Sequence, residues 1–118
     1  MRTNNFVKAK IITIGDELLL GQVVNTNASW LGEQLNINGF QLVSVLTIGD
    51  GESDILNALN ACSDADIVFI TGGLGPTADD ITKPTLCTFF ETEMVLNEDA
   101  LENINEIFRL RGYQMSER

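Results

Sequence analysis

The sequence has no histidine. A histidine triad, a histidine metal cluster and a histidine general base are therefore excluded, and acid–base work falls to Asp, Glu or metal-bound water. Cations are scarce as well: 7 Lys and Arg stand against 17 Asp and Glu, for a net charge of −10. A nucleic-acid surface needs a basic face, so nucleic acid is not an expected partner. A phosphate-bearing ligand would have to be held by backbone N–H groups, a helix N-terminus or a bound metal ion. The 2 cysteines, Cys62 and Cys87, sit in apolar helical patterns and read as reduced core residues, since two thiols make neither a zinc site nor a disulfide framework. No apolar run approaches the roughly 18 residues of a membrane span. The start, MRTNNFVKAK, lacks the apolar centre of a signal peptide. The chain is expected to be soluble and cytoplasmic, without a membrane partner, and its acidic surface favours solubility.

What is present is ordinary for a globular core. Hydrophobic residues make up 44% and charged residues 20% of 118 residues, which suits a single domain over residues 1–118. Val7 to Ile14 is an apolar run halted by Gly15-Asp16, and it reads as a buried strand. Asn25-Thr26-Asn27 supplies cap residues for a helix carrying Ala28, Trp30, Leu31 and Leu35, with Gly39 as its stop. Gln41 to Ile48 is a second strand, and Ser53 can cap a helix whose Ile55, Leu56, Leu59 and Cys62 share a face. Asp66 to Thr71 is a third strand. Pro84 suits the first turn of a helix over roughly Pro84 to Phe90, and Met94 to Leu96 reads as a short extended piece. Asn97 caps a last helix lined by Leu101, Ile104, Ile107, Phe108 and Leu110 and ended by Gly112. Alternation of strands and helices predicts an α/β fold: a mostly parallel sheet covered by helices on both faces. The polar segment Tyr113 to Arg118 trails off where such a sheet often continues.

In parallel sheets ligands bind beyond the carboxyl ends of the strands. All three predicted strands end in Gly–Asp or Gly-rich stretches: Gly15-Asp16-Glu17, Gly49-Asp50-Gly51, and Gly72-Gly73-Leu74-Gly75-Pro76-Thr77 followed by Asp79-Asp80. The first two also read as plain turns, because Gly and Asp are ordinary turn residues. The third concentrates glycine beyond what a connection needs, at an entropic cost. It matches neither a Walker A loop nor G-x-G-x-x-G. Its glycines let backbone N–H groups approach a ligand, Thr77 and Thr82 add hydroxyl donors, and Asp16, Glu17, Asp50, Asp79 and Asp80 suit a divalent cation.

These pieces together resemble one family. Ile14-Gly-Asp-Glu-Leu-Leu-Leu-Gly21, Val24-Asn-Thr-Asn-Ala28, Gly49-Asp50 and Thr71-Gly-Gly-Leu-Gly-Pro-Thr77 with Asp79-Asp80-Ile-Thr82 are similar to the N-terminal molybdopterin-binding-like domain of the competence/damage-inducible CinA family. The resemblance covers nearly the whole chain. It implies a three-layer α/β sandwich whose sheet runs past this length, so these residues are expected to be a domain truncated at its C-terminal end. It implies metal-dependent hydrolysis of ADP-ribose to AMP and ribose 5-phosphate, with a Mg, Mn or Co class ion. The alternatives are a pterin-phosphate binding or adenylyl-transfer module of molybdenum cofactor synthesis, and a binding or oligomerisation domain without turnover. On this reading Gly72, Gly73, Gly75, Thr77, Asn25 and Asn27 hold the phosphate ligand. Asp80, Glu17 and Asp79 hold the metal, and Asp80 with Asp50 serves the chemistry. Self-association into a homo-oligomer is implied too.

Overall fold

The computed structural model describes residues 6–112; the polar segment 113–118 lies outside the described residues. The elements run β1 (Val7–Ile14), α1 (Asp16–Leu19), α2 (Thr26–Ile37), β2 (Phe40–Ile48), α3 (Glu52–Ala61), β3 (Ile67–Thr71), α4 (Thr82–Phe89) and α5 (Glu98–Arg111).

A strand that is apolar at consecutive positions needs cover on both faces. β1 receives it by lying at the centre of a parallel sheet of order β2-β1-β3. Ala9, Ile11, Ile12 and Thr13 are fully buried there. On one face Leu35 and Leu31 of α2 pack on Ala9, Ile11, Phe40, Leu42 and Phe69. On the other, Ile55, Ala58, Leu59 and Cys62, with Leu86 and Phe89 of α4, pack on Ile12, Ile14, Leu46 and Ile48. The result is the three-layer α/β arrangement that the strand–helix alternation predicts.

One irregularity aligns the two faces. Between Ala9 and Lys10 the pairing with β2 advances from Leu42 to Ser44, which inserts an extra residue into β2. A bulge shifts the alternation by one residue. Leu42 therefore faces α2, whereas Leu46, also even-numbered, faces α3.

Several local expectations need correction. α3 starts two residues earlier than a Ser53 cap requires: Gly51 is its N-cap, without a side-chain bond, and Ser53 lies inside the first turn. α4 begins at Thr82 rather than Pro84, which still falls in the first turn. Met94–Leu96 pairs with no strand among the described residues, and all three side chains are exposed. Gly15-Asp16, a strand stop that also reads as a plain turn, opens a short helix, Asp16–Leu19, with Gly15 as its N-cap. Asn97 does cap α5 through a bond from Ala100 N–H, and Gly112 ends it at φ 73°. No α5 residue is buried, so its apolar stripe lines no core among the described residues. Trp30 points outward, at 61% exposed. Both cysteines are free thiols, Cys62 buried and Cys87 half-buried.

The connection through α2 places β2 on one side of β1, and the next, through α3, crosses to place β3 on the other. Strand order thus reverses at β1. The crevice at the carboxyl ends of β1 and β3 is where a parallel sheet of this kind offers space to a ligand.

Candidate functional site

A cleft of about 450 Å³ opens at that crevice. Its first wall is built by the ends of β1 and β2. Gly15 N–H donates to Ile48 carbonyl at 2.9 Å, which joins the two strand exits. Asp16 then reaches across, its Oδ1 accepting the Asp50 N–H at 3.0 Å. A Cβ on Gly49 would lie 2.6 Å from that oxygen, so the glycine leaves the room this bond occupies. Asp16 thereby ties the second loop to the first, and Glu17 and Asp50 both line the cleft.

The glycine loop after β3 forms the second wall. Gly72 and Gly73 have φ 93° and 65°, the left-handed region that other residues rarely enter. A Cβ on Gly72 would stand 2.0 Å from the Ile14 carbonyl oxygen. The loop therefore leaves β3 in direct contact with the end of β1, and only a residue without a side chain fits. Further along, Asp80 Oδ2 accepts both the Thr77 hydroxyl at 2.6 Å and the Thr77 N–H at 3.1 Å. Gly75 makes this possible too, since its Cβ would fall 2.6 Å from the same oxygen.

These surroundings drive two carboxyl groups in opposite directions. The Thr77 hydroxyl holds Asp80 below the usual carboxylate range; backbone N–H groups of Thr77 and Gly75 and the charge of Lys83 act the same way, against a smaller desolvation effect. Burial pushes Asp50 upward, and repulsion from Asp16, Glu17 and Asp79 adds to it, opposed by a hydrogen bond from the Asp16 backbone.

Asn25 anchors the third side of the cleft. Its Oδ1 accepts the Ala28 N–H at 3.2 Å and caps α2, while its Nδ2 donates to Thr13 Oγ1 at 2.9 Å. Thr13 donates in turn to Thr47 Oγ1 at 3.0 Å. A buried hydroxyl needs partners, and this chain of bonds supplies them while fixing the α2 N-terminus over the end of β1. Asn27 lies in the first turn of α2, exposed at the cleft.

Of the residues singled out by sequence, Glu17, Asn25, Asn27, Asp50, Gly72, Gly73, Asp79 and Asp80 meet in this one cleft. Gly75 and Thr77 are not part of its lining; they stand behind Asp80. Among the described residues no three carboxylates converge closely enough to hold an ion by themselves. Asp80, Glu17 and Asp79 thus form no all-protein cage. Their oxygen donors suit the other arrangement that Mg²⁺ favours, one or two carboxylates shared with ligand phosphates. Two contributions carry no sequence signature: the Asp16 tie, whose partner is a backbone N–H in another loop, and the apolar rim of Leu18, Val23 and Val24.

A family described as a probable molybdopterin binding domain matches residues 10–112. A CinA-like protein of Cytophaga hutchinsonii is 44% identical over 114 residues, covering 96% of this chain and 27% of that protein. The structure of CinA from Thermoplasma acidophilum, described as of unknown function, is 32% identical with a TM-score of 0.77, over 97% of this chain and 66% of that one. The tungsten cofactor synthesizing protein MoaB from Pyrococcus furiosus is 26% identical with a TM-score of 0.67, over 94% and 65% of the two chains. This chain spans 42% of the length of the first of the curated relatives it matches and 27% of the second.

Proposed function

The chain belongs to the family of probable molybdopterin-binding domains, and on that premise we propose that its cleft binds a phosphate-bearing small molecule and hydrolyses the pyrophosphate of ADP-ribose to AMP and ribose 5-phosphate. The observation that carries this reading is the pairing of a glycine backbone with two carboxyl groups of opposite proton affinity, Asp50 raised and Asp80 lowered, in one cleft. Environments that push neighbouring titratable groups apart mark acid–base assignments.

Gly72 and Gly73 let the main chain approach the pyrophosphate, which side-chain cations do not do in this cleft. Asp80, kept ionised by Thr77, is the anchor for a divalent ion of the Mg, Mn or Co class, with Glu17 and Asp79 close by along the cleft. Such an ion, when bound, offsets the repulsion between this acidic chain and an anionic substrate and lowers the pKa of bound water. Asp50 is the stronger base of the pair and takes the proton of the attacking water. The water oxygen bonds to one phosphorus, the bridging P–O bond breaks, and the proton passes from Asp50 to solvent. Asn25 keeps the α2 N-terminus and Asn27 at the cleft.

A pterin phosphate is the second reading. The likeness to a cofactor-synthesizing MoaB favours it, as does the apolar rim of Val23 and Val24, whose exposed side chains a planar ring could cover. Either ligand is compatible with self-association, which the exposed Val95, Leu96 and Leu110 favour.

Incubation with ADP-ribose and a panel of divalent ions, with AMP followed by chromatography, tests the hydrolase reading. AMP should appear only with metal, and Asp80→Asn should abolish it while preserving the circular dichroism spectrum. Wild-type turnover by that variant would remove Asp80 from the mechanism. No release with any metal would transfer the site to the pterin reading.

A further inference from the structure

Thr82 was singled out as one more hydroxyl donor for a ligand, but it does not line the cleft. It is 1% exposed, and both of its polar groups are turned into the glycine loop. Its hydroxyl donates to the Gly72 carbonyl at 2.8 Å. Its backbone N–H donates to the Gly73 carbonyl at 3.2 Å. A Cβ on Gly73 would lie 2.3 Å from the Thr82 hydroxyl oxygen, so the two residues are in direct contact.

The peptide bonds here are trans, and in a trans peptide the N–H points opposite to the carbonyl. Drawing the Gly72 and Gly73 carbonyls onto Thr82 turns the N–H groups of Gly73 and Leu74 away from α4. Among the described residues neither N–H donates to another backbone group. Left-handed glycines have many alternative conformations of similar energy, so something outside the loop must select this one. We infer that Thr82 is the positioning residue of the site: its hydroxyl and N–H hold Gly72 and Gly73 so that the N–H of Gly73, a residue of the cleft lining, faces an anionic ligand. The inference rests on the phosphate-binding reading for its ligand, but the loop-holding role stands on geometry alone.

The test uses the 118-residue chain with Thr82→Val, which keeps the shape and removes the hydroxyl, and Thr82→Ser, which restores the donor. Two readouts separate the claims. The first is ¹⁵N relaxation of the Gly72, Gly73 and Leu74 amides. In the wild type these should be ordered like the rest of the backbone, and in Thr82→Val their order parameters should fall to about 0.6 or lower, returning in Thr82→Ser. The second is titration with inorganic pyrophosphate and Mg²⁺, where Thr82→Val should bind about tenfold more weakly and Thr82→Ser near wild type. A role confined to stability would lower the thermal midpoint without moving either readout well below it. Unchanged loop order in a folded Thr82→Val overturns the inference, as does unchanged pyrophosphate affinity. Should Thr82→Val not fold, Thr82→Ser and Thr82→Cys, which replaces the hydroxyl by a weak donor, give the same comparison. If wild type binds no pyrophosphate, the phosphate reading fails, while the relaxation data still decide whether Thr82 holds the loop.

Discussion

Gly72→Ala probes the most confined glycine among the described residues. Two costs combine. The first is conformational: φ at Gly72 is 93°, and placing a side chain in the left-handed region costs roughly 1–2 kcal/mol. The second is steric. The new Cβ would meet the Ile14 carbonyl oxygen at 2.0 Å. That oxygen belongs to the end of the central strand, and separating the two by about 1 Å strains a packed region, at roughly 1–3 kcal/mol. The expected loss is about 2–5 kcal/mol, a large part of the ~5–15 kcal/mol that holds a typical domain together. Urea denaturation followed by circular dichroism would show the midpoint about 1–2 M lower, with the slope unchanged. Gly21→Ala is the control. Gly21 has φ 73°, yet nothing lies within 4 Å of its would-be Cβ, so it should lose only the conformational part, about 1–2 kcal/mol. If Gly72→Ala costs no more than Gly21→Ala, the close contact between the glycine loop and β1 is not what the site is built on.

Three further outcomes follow from the same geometry. Asn25→Ala removes the α2 cap and the bond to Thr13, and should cost about 1–2 kcal/mol in urea denaturation; a loss within experimental error would detach the cap from fold stability. Thr77→Val removes the main cause of the lowered Asp80 value, so its carboxyl titration, followed by NMR, should move up toward the ordinary range. The stability that the lowered group contributes is present above its unfolded value and is lost as pH falls through the folded one, so Thr77→Val should flatten that acid limb. Asp50 has the opposite sign. Its folded value lies above the ordinary 3.8, so folding favours the protonated form and stability declines as pH rises from 3.8 to the folded value. Asp50→Asn, measured without divalent ions, should therefore melt higher than wild type at pH 7 and show no such gain at pH 3; equal differences at both values would refute the electrostatic origin.

Much of the site was legible because each strand exit announces itself chemically. Apolar runs that end in Gly–Asp or in a cluster of glycines mark the carboxyl edge of a parallel sheet, and Glu17, Asp50, Gly72, Gly73, Asp79 and Asp80 do share one cleft. The roles within that set were less legible. Thr77 and Thr82 were both read as donors to a ligand. One donates to Asp80 and the other to Gly72, because the loop folds back on itself between Gly72 and Thr82. Asp16 and Glu17 are neighbours in sequence, yet one binds a backbone N–H of another loop while the other lines the cleft. A side chain's partner across 34 residues leaves no local pattern.

The sequence alone determined the alternation of elements, the placement of β1 between covering helices and the edge on which the cleft opens. These depend on hydrophobic periodicity and turn chemistry, which are local. The ends of short elements were decided by tertiary packing. α1 is too short for any periodicity to show, and α3, whose Ile55, Ala58 and Leu59 pack on the sheet, starts ahead of its best capping side chain, Ser53. The same holds for the two carboxyl groups of the cleft. Asp50 and Asp80 are the same residue type after similar glycine-rich turns. Only the fold surrounds one with carboxylates in a half-buried place and gives the other a hydroxyl and two N–H groups, and so sends their proton affinities apart.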